Sequence, residues 1–398
     1  MLNKNKNIKL KIPGKLIFSG EWSVLEKNNS SVVLAINKFL KVNLKQNNLN
    51  QIIFNSKNIN LENIKLSYKN NKLKTETNIP KQKRELFKLS FYAIKIVFKY
   101  LQDKNIKINN NFNIFINSDI SKIKLKNNSF SKIGLGSSAA TVVGIISAIL
   151  KLHDFKINQI YIKNLIFKLS IIAHYLAQNK TGSGADIACC TYKKNIIYKK
   201  FDTAWFRKNI KNFNKPVQID SNPRRSEAVA GTTPRTGLSV LESDWPNLEI
   251  KPIKLPKNLI ILAAFSGQSA STKNLIQEIL KSKKENKKNF NKIINNLNNI
   301  VLKIIDILKN KFLDLKQQKE LLELIKINRF LLKELNKNLE TQDLKKLIEI
   351  ATTKNSAAKF SGAGGGDCGI AICFEQKIAQ KIIFDWEKNN FYPIRTFK

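Results

Sequence analysis

A stretch rich in glycine and serine near the middle of the chain has the residue types that bind a phosphate group. It lies within Lys132–Leu150 and consists of Gly134, Leu135, Gly136, Ser137, Ser138 and Ala139, followed by an uncharged run with helical spacing. Small residues let the backbone approach an anion, and the first N–H groups of a helix point towards it. The hydroxyl of Ser137 or Ser138 is suited to a magnesium ion. The stretch therefore predicts a phosphate-binding turn that leads into a buried helix.

Two further loops strengthen this prediction, because a glycine pair alone more often marks a turn before a core helix than a ligand site. Lys180–Asp186, KTGSGAD, places an acid just past a Gly-Ser-Gly turn. Phe360–Ile372, FSGAGGGDCGIAI, is a denser glycine loop that enters a β-like segment. Three loops of small residues in one chain indicate a shared ligand.

Together with Pro13-Gly14-Lys15, these loops resemble the conserved motifs of the GHMP small-molecule kinases, which include galactokinase, homoserine kinase, mevalonate kinase and phosphomevalonate kinase. The resemblance implies phosphoryl transfer from ATP with Mg²⁺. No Walker signature is present, so the chain would be a kinase outside the P-loop class. By the same resemblance Gly134–Ala139 binds ATP and Ser137 binds the metal. Lys15 then meets the transferring phosphoryl group, and Asp186 orients or deprotonates the acceptor.

The acceptor is also implied by resemblance. Mevalonate kinases usually carry a metal-binding glutamate on the helix before the acidic loop, whereas this chain has Tyr175 and Gln178 there. The ending Gly366-Asp367-Cys368 is similar to that of phosphomevalonate kinases, which convert 5-phosphomevalonate to 5-diphosphomevalonate. A phosphorylated acceptor needs extra cations to hold two anionic groups together. The residues predicted to bind it are Lys132, Ser183, Ser361, Gly362 and Ala363.

Three other functions stay open at this point: another GHMP kinase such as mevalonate kinase, a non-catalytic relative, and a basic nucleic-acid-binding protein. The net charge is +41, with 63 Lys and only 7 Arg spread over every segment. No basic run is interleaved with aromatic residues as a base-stacking surface requires. Intact Lys15, Ser137 and Asp186 argue against a non-catalytic protein. We therefore expect a small-molecule substrate, no specific nucleic acid and no membrane, with the protein a monomer or homodimer.

The compartment is indicated by the cysteines and the N-terminus. The four cysteines contain no C-x-x-C pair, so the sequence predicts neither a zinc site nor a disulfide framework. The first ten residues lack the apolar core of a signal peptide. Both observations favour the cytoplasm.

Length and pattern predict an α+β chain of two domains. The resemblance implies a GHMP kinase fold, with an N-terminal domain like ribosomal protein S5 domain 2 and a ferredoxin-like C-terminal domain. The expected boundaries are 1–215, an atypical connecting segment 216–250 that contains no lysine, and 251–398. We also expect a strand over Ile8–Ser19 that is broken by a Pro-Gly turn, and a closing strand over Tyr392–Phe397.

Overall fold

The chain folds into two lobes, each with helices packed on a sheet, so the predicted α+β class is confirmed. The computed structural model describes residues 6–179, 182–210, 237–270 and 272–394. One hydrophobic core lies mainly under the N-terminal sheet, and a second lies under the C-terminal sheet.

The N-terminal lobe is organised around a large sheet. Alternate side chains from Ile8 to Ile12 are buried, as expected for a strand with one face on a core. The strands of this lobe are β1 (Asn7–Ser19), β2 (Ser30–Gln46), β3 (Ile52–Ser56), β4 (Leu61–Lys69), β5 (Lys72–Thr75), β6 (Phe112–Ser118), β7 (Lys122–Lys124), β8 (Phe130–Lys132), β9 (Ile196–Lys199) and β10 (Glu249–Pro252). Eight of them form one sheet in the order β10-β9-β2-β6-β3-β4-β5 with β1 on β2, and β7 and β8 form a separate hairpin.

The helices of this lobe include the predicted helix after the glycine turn. They are α1 (Lys81–Asp103), α2 (Ser137–Leu152), α3 (Ile160–Gln178), α4 (Ala185–Tyr192), α5 (Thr203–Ile210) and α6 (Gly237–Glu242). Helix α2 is apolar and buried for most of its length, and a Cβ added at Gly144 would lie 2.7 Å from Cγ2 of Val42 on β2. Glycine therefore lets α2 lie directly on the sheet. Among the described helices α3 is long and apolar enough to cross a membrane, and just over half of it is buried in this lobe.

The C-terminal lobe is a four-stranded antiparallel sheet with amphipathic helices. Its strands are β11 (Ile260–Phe265), β12 (Ser356–Ser361), β13 (Cys368–Cys373) and β14 (Tyr392–Pro393), in the order β12-β13-β11-β14. Its helices are α7 (Thr272–Glu285), α8 (Lys287–Leu308), α9 (Leu315–Leu335), α10 (Gln342–Ala351) and α11 (Gln376–Lys388). A capping box between Asp314 and Gln317 fixes the start of α9.

The lobes meet along the end of β1. The hydroxyl of Ser361 accepts the N–H of Ile17 at 2.8 Å and donates to the carbonyl of the same residue at 2.9 Å. Glu21 and Lys359 form an ion pair whose side chains are both fully buried. Burial lowers the pKa of Lys359, and the charge of Glu21 opposes that shift. A buried pair of this kind fixes one arrangement of the two lobes, because separating it would leave a charge without a partner.

Strand β1 corrects one prediction, because it runs unbroken through Pro13-Gly14. Its pairing register with β2 shifts between Pro13 and Lys15. Proline has no N–H to give to the ladder, so the strand bulges at this point instead of turning. The predicted turn at Pro13-Gly14 is therefore wrong.

Two predicted segments fall partly outside the described residues. Of the connecting segment, residues 216–236 lie outside, whereas α6 and β10 belong to the N-terminal lobe, with β10 paired to β9. The closing strand is described as β14, and residues 395–397 of its predicted extent lie outside.

Candidate active site

The bulge in β1 places Lys15 on the glycine turn. A Cβ added at Gly14 would lie 2.9 Å from the carbonyl oxygen of Leu135, so only glycine lets β1 pass this close. The N–H of Lys15 donates to that carbonyl at 2.9 Å, and its Nζ donates to the carbonyl of Gly134 at 3.3 Å. The structure thus brings together the predicted cation and the predicted phosphate-binding turn.

The turn itself has the conformation that a phosphate-binding loop needs. Gly136 is the residue before α2 and has φ +86°, in the left-handed region that favours glycine. A Cβ there would lie 3.0 Å from Cγ of Lys15. Ser137 and Ser138 are half-buried in the first turn of α2, and Ala139 is buried behind them. The first N–H groups of α2 and its positive dipole end therefore face the same region as Lys15.

Asp186 lies in the first turn of α4, where its Oδ1 accepts the N–H of Ile187 at 2.9 Å. The helix follows Gly184, which has φ +82°. The hydroxyl of Tyr198 fixes the preceding loop by donating to the carbonyl of Ser183 at 2.6 Å. Asp186, Ser183 and His174 are among the residues that line a cavity of about 110 Å³. Residues 180 and 181 of this loop lie outside the described residues.

Two buried thiols place Asp186 near Lys15. Burial raises the pKa of Cys189 to about 12, and Lys15 lowers it while Asp186 raises it. Cys190, whose pKa is raised by burial too, lies against the carbonyl of Pro13 with an Sγ–O distance of 3.3 Å. The charges of Lys15 and Asp186 thus act on the same pair of thiols between β1 and α4. These thiols are too far from ionisation to be nucleophiles.

Asp367 is a residue of this site that the sequence analysis noted only as part of a motif. Its carboxylate lies against the glycine turn, with Cγ 2.8 Å from where a Cβ at Gly134 would be. Burial raises the pKa of its carboxyl group, while the backbone N–H groups of Ala270 and Gly134 and the charges of Lys15 and Lys132 oppose the rise. The only signal in the sequence was an acidic residue at the end of the last glycine loop.

The predicted acceptor residues are placed in two different ways. Lys132 is exposed on β8, in register with Lys122 of β7, and its charge reaches Asp367. Ser361 is buried with its hydroxyl engaged by Ile17, and the carbonyl of Ala363 accepts the indole N–H of Trp22 at 3.2 Å. These hydrogen bonds of Ser361 and Ala363 connect the two lobes. Gly362 is half-buried beside them with φ +92°.

A metal ion would have few protein ligands here. Within the described residues no three His, Cys, Asp or Glu side chains gather as a metal site. The half-buried hydroxyl of Ser137, at the start of α2, fits an ion that arrives bound to nucleotide phosphates, since Mg²⁺ commonly keeps water and phosphate oxygens as most of its ligands.

Comparison with known proteins gives the family. Residues 91–194 match the GHMP kinases N terminal domain, and residues 309–392 match the GHMP kinases C terminal domain. A phosphomevalonate kinase of Streptomyces sp. (strain CL190) is 23% identical over 370 residues, covering 90% of this chain and 88% of the relative. A mevalonate kinase of Pyrococcus abyssi is 24% identical over 361 residues, covering 90% of this chain and 87% of the relative.

A solved structure gives the fold. The chain is similar to Streptococcus pneumoniae phosphomevalonate kinase in complex with phosphomevalonate and AMPPNP, with a TM-score of 0.73 and 21% identity. The match covers 98% of this chain and 100% of that structure. The predicted two-domain fold and the predicted superfamily are both confirmed.

Proposed function

We propose that this chain, which carries the N- and C-terminal domains of the GHMP kinases, transfers the γ-phosphoryl group of ATP to (R)-5-phosphomevalonate. The products are ADP and 5-diphosphomevalonate, in the mevalonate route to isoprenoids. The observation that carries the proposal is the contact of Lys15 with the glycine turn at the start of α2. The Streptomyces phosphomevalonate kinase, which is similar over most of this chain, supports the choice of acceptor.

At the nucleotide end the chain supplies backbone N–H groups and one cation. The first N–H groups of α2 suit the β- and γ-phosphates, and Lys15 is placed for the charge that moves with the γ-phosphoryl group. Magnesium bound with ATP would neutralise phosphate charge, with Ser137 as its ligand from this chain.

At the acceptor end the chemistry depends on which acceptor is used. A phosphate monoester carries about −1.5 to −2 charges at pH 7, so its attacking oxygen has no proton that must be removed. Asp186 then orients the reacting groups. The hydroxyl of mevalonate keeps its proton and would need Asp186 as a general base. Lys132 supports the phosphorylated acceptor, because it adds a second cation on the side of Asp367.

Mevalonate is the second candidate acceptor, and the Pyrococcus abyssi relative favours it. The absence of a carboxylate at Tyr175 and Gln178 speaks against it, since the motif of mevalonate kinases has a metal-binding glutamate on that helix.

The test is a coupled assay of ADP release with (R)-5-phosphomevalonate and mevalonate as alternative acceptors. A site built to pair with a phosphate should reject an analogue without it by about four orders of magnitude in kcat/KM. Equal turnover of mevalonate would assign the chain to the mevalonate kinases instead. Omission of acceptor is the control for ATP hydrolysis.

We further propose that the enzyme works in the cytoplasm as a monomer or homodimer, without a specific nucleic acid or membrane partner. All four cysteines are free and buried, which supports a reducing compartment. Light scattering of the purified chain measures its mass against the 45.5 kDa of one copy.

A further inference from the structure

The side chain of Asp367 lies so close to the glycine turn that only glycine fits at position 134. A Cβ added at Gly134 would lie 2.8 Å from Cγ of Asp367 and closer still to its Oδ2. The carboxylate thus packs against Gly134 of the N-terminal lobe, while the backbone of Asp367 is bound to Gln268 and Ser266 of the C-terminal lobe. It therefore joins the two lobes at the phosphate-binding turn.

The other side of the same peptide groups is held by Lys15. The carbonyl of Gly134 accepts the Nζ of Lys15 at 3.3 Å, and the carbonyl of Leu135 accepts its N–H at 2.9 Å. Gly134 thus has the carboxylate of Asp367 packed against it and the ammonium group of Lys15 bound to its carbonyl. If the carboxylate of Asp367 moved, Gly134 would move with it and displace the carbonyl that binds the ammonium group of Lys15.

The backbone that aims Asp367 is unusual and firmly held. Asp367 has φ +60°, a region that residues other than glycine seldom occupy, although aspartate tolerates it better than most. Its N–H donates to the carbonyl of Gln268 at 2.8 Å, and its carbonyl accepts the N–H of Ser266 at 2.8 Å. Such a conformation persists where the surrounding structure fixes it, and it is common at functional sites.

We propose that Asp367 is a positioning residue: by packing against Gly134 it fixes the carbonyl that receives the ammonium group of Lys15, and so couples the C-terminal lobe to phosphoryl transfer. This rests on the proposed function only in that Lys15 acts on the transferred group, whichever acceptor is used. It also changes the meaning of Gly134. That position is glycine to admit a carboxylate, in addition to its predicted contact with nucleotide.

A double-mutant cycle tests the coupling. Asp367→Gly removes the carboxylate and keeps a residue that accepts φ +60°. Gly134→Ala puts a methyl group into the space of the carboxylate. Each single change should lower kcat at least about tenfold, since small misplacements of catalytic groups cost this much or more. In Asp367→Gly the KM for ATP should stay within about twofold of wild type. The double variant should be no slower than Asp367→Gly, because the methyl group then meets no carboxylate.

Two results would overturn the proposal. One is an unchanged kcat in Asp367→Gly. The other is a fall in kcat on Gly134→Ala that is equal in both backgrounds, which would mean that the new methyl group acts without the carboxylate. Asp367→Asn keeps one acceptor oxygen and a residue suited to the left-handed region, so it should restore part of the lost kcat. Asp154→Gly is the matched control, since Asp154 has φ +67° and is exposed far from the turn.

A readout without turnover separates this proposal from the proposed function. Lys15 acylation by an amine-reactive ester, followed by peptide mass spectrometry, should be severalfold faster in Asp367→Gly than in wild type and unchanged in Asp154→Gly. An equal rate in all three proteins would refute the coupling. If the wild-type enzyme prefers mevalonate, the proposed acceptor is wrong, and the double-mutant cycle is then measured with mevalonate as the acceptor. If the enzyme uses phosphomevalonate but the effects of the Gly134 and Asp367 changes on kcat are additive, only the proposed coupling is refuted.

Discussion

The nucleotide end and the acceptor end of the site are built from different parts of the chain. The nucleotide end is mostly backbone: Gly136 with φ +86°, and the first N–H groups of α2. The acceptor end is mostly side chain: Asp186 in a small cavity and Lys132 exposed on β8. A site made of backbone groups is disrupted by substitutions that add a side chain, whereas a site made of side chains is disrupted by substitutions that remove their functional groups. Lys15 contacts the glycine turn, and its charge acts together with that of Asp186 on the thiol of Cys189.

The largest effect should come from the two residues proposed to act on the reacting groups. Lys15→Met and Asp186→Asn should each lower kcat by on the order of a hundredfold or more, with much smaller changes in KM, because both groups act chiefly in the transition state. Steady-state kinetics with both substrates measures this. Lys11→Met is the matched control, as Lys11 is exposed on the same strand. Near-normal turnover in Asp186→Asn would mean that the carboxylate has a structural role and does not act in the reaction.

A change at the backbone end should weaken nucleotide binding while leaving the fold intact. In Gly136→Val the new side chain needs φ +86° and meets Cγ of Lys15, so ATP affinity should fall by about a hundredfold. Calorimetric titration with ATP measures it. Asn50→Val is the control, since Asn50 is exposed with φ +49°. Unchanged ATP affinity in folded Gly136→Val protein would contradict the assignment of the turn.

The smallest effect should come from the exposed cation at the acceptor end. Lys132→Ala should raise KM for phosphomevalonate by about tenfold, because it removes one charge-assisted contact, worth about 1.5–3 kcal/mol when well formed. Lys122→Ala is a close control, since Lys122 is exposed opposite Lys132 in the same hairpin. Equal effects of the two changes on KM would mean that Lys132 contributes only general surface charge and makes no specific contact with the acceptor.

The site could be predicted where its chemistry is local in sequence. Gly134–Ala139 carries its turn, its helix start and its hydroxyl groups within six residues, so composition and spacing are enough to predict the glycine turn at the start of α2. The buried helix that follows was predictable for the same reason, because an uncharged run with helical spacing has few alternatives.

The sequence was less informative where distant segments decide the outcome. Pro13-Gly14 has the composition of a turn, yet pairing with β2 on both sides keeps β1 continuous and turns the irregularity into a bulge. The contact of Asp367 with Gly134, and that of Ser361 with Ile17, join residues far apart in the chain. Single-sequence patterns report on neighbours within a helix or strand and carry no signal for such pairs.

The buried ion pair at the joint has a consequence for synthesis of the protein. Glu21 lies just after β1, and its partner Lys359 is 338 residues later in the chain. At about 5 to 20 residues per second, the interval between synthesis of the two residues is about 20 to 70 s. Burying the carboxylate before Lys359 is present would leave a charge without a partner. We therefore expect the joint around Glu21 to close only after the C-terminal lobe has been made.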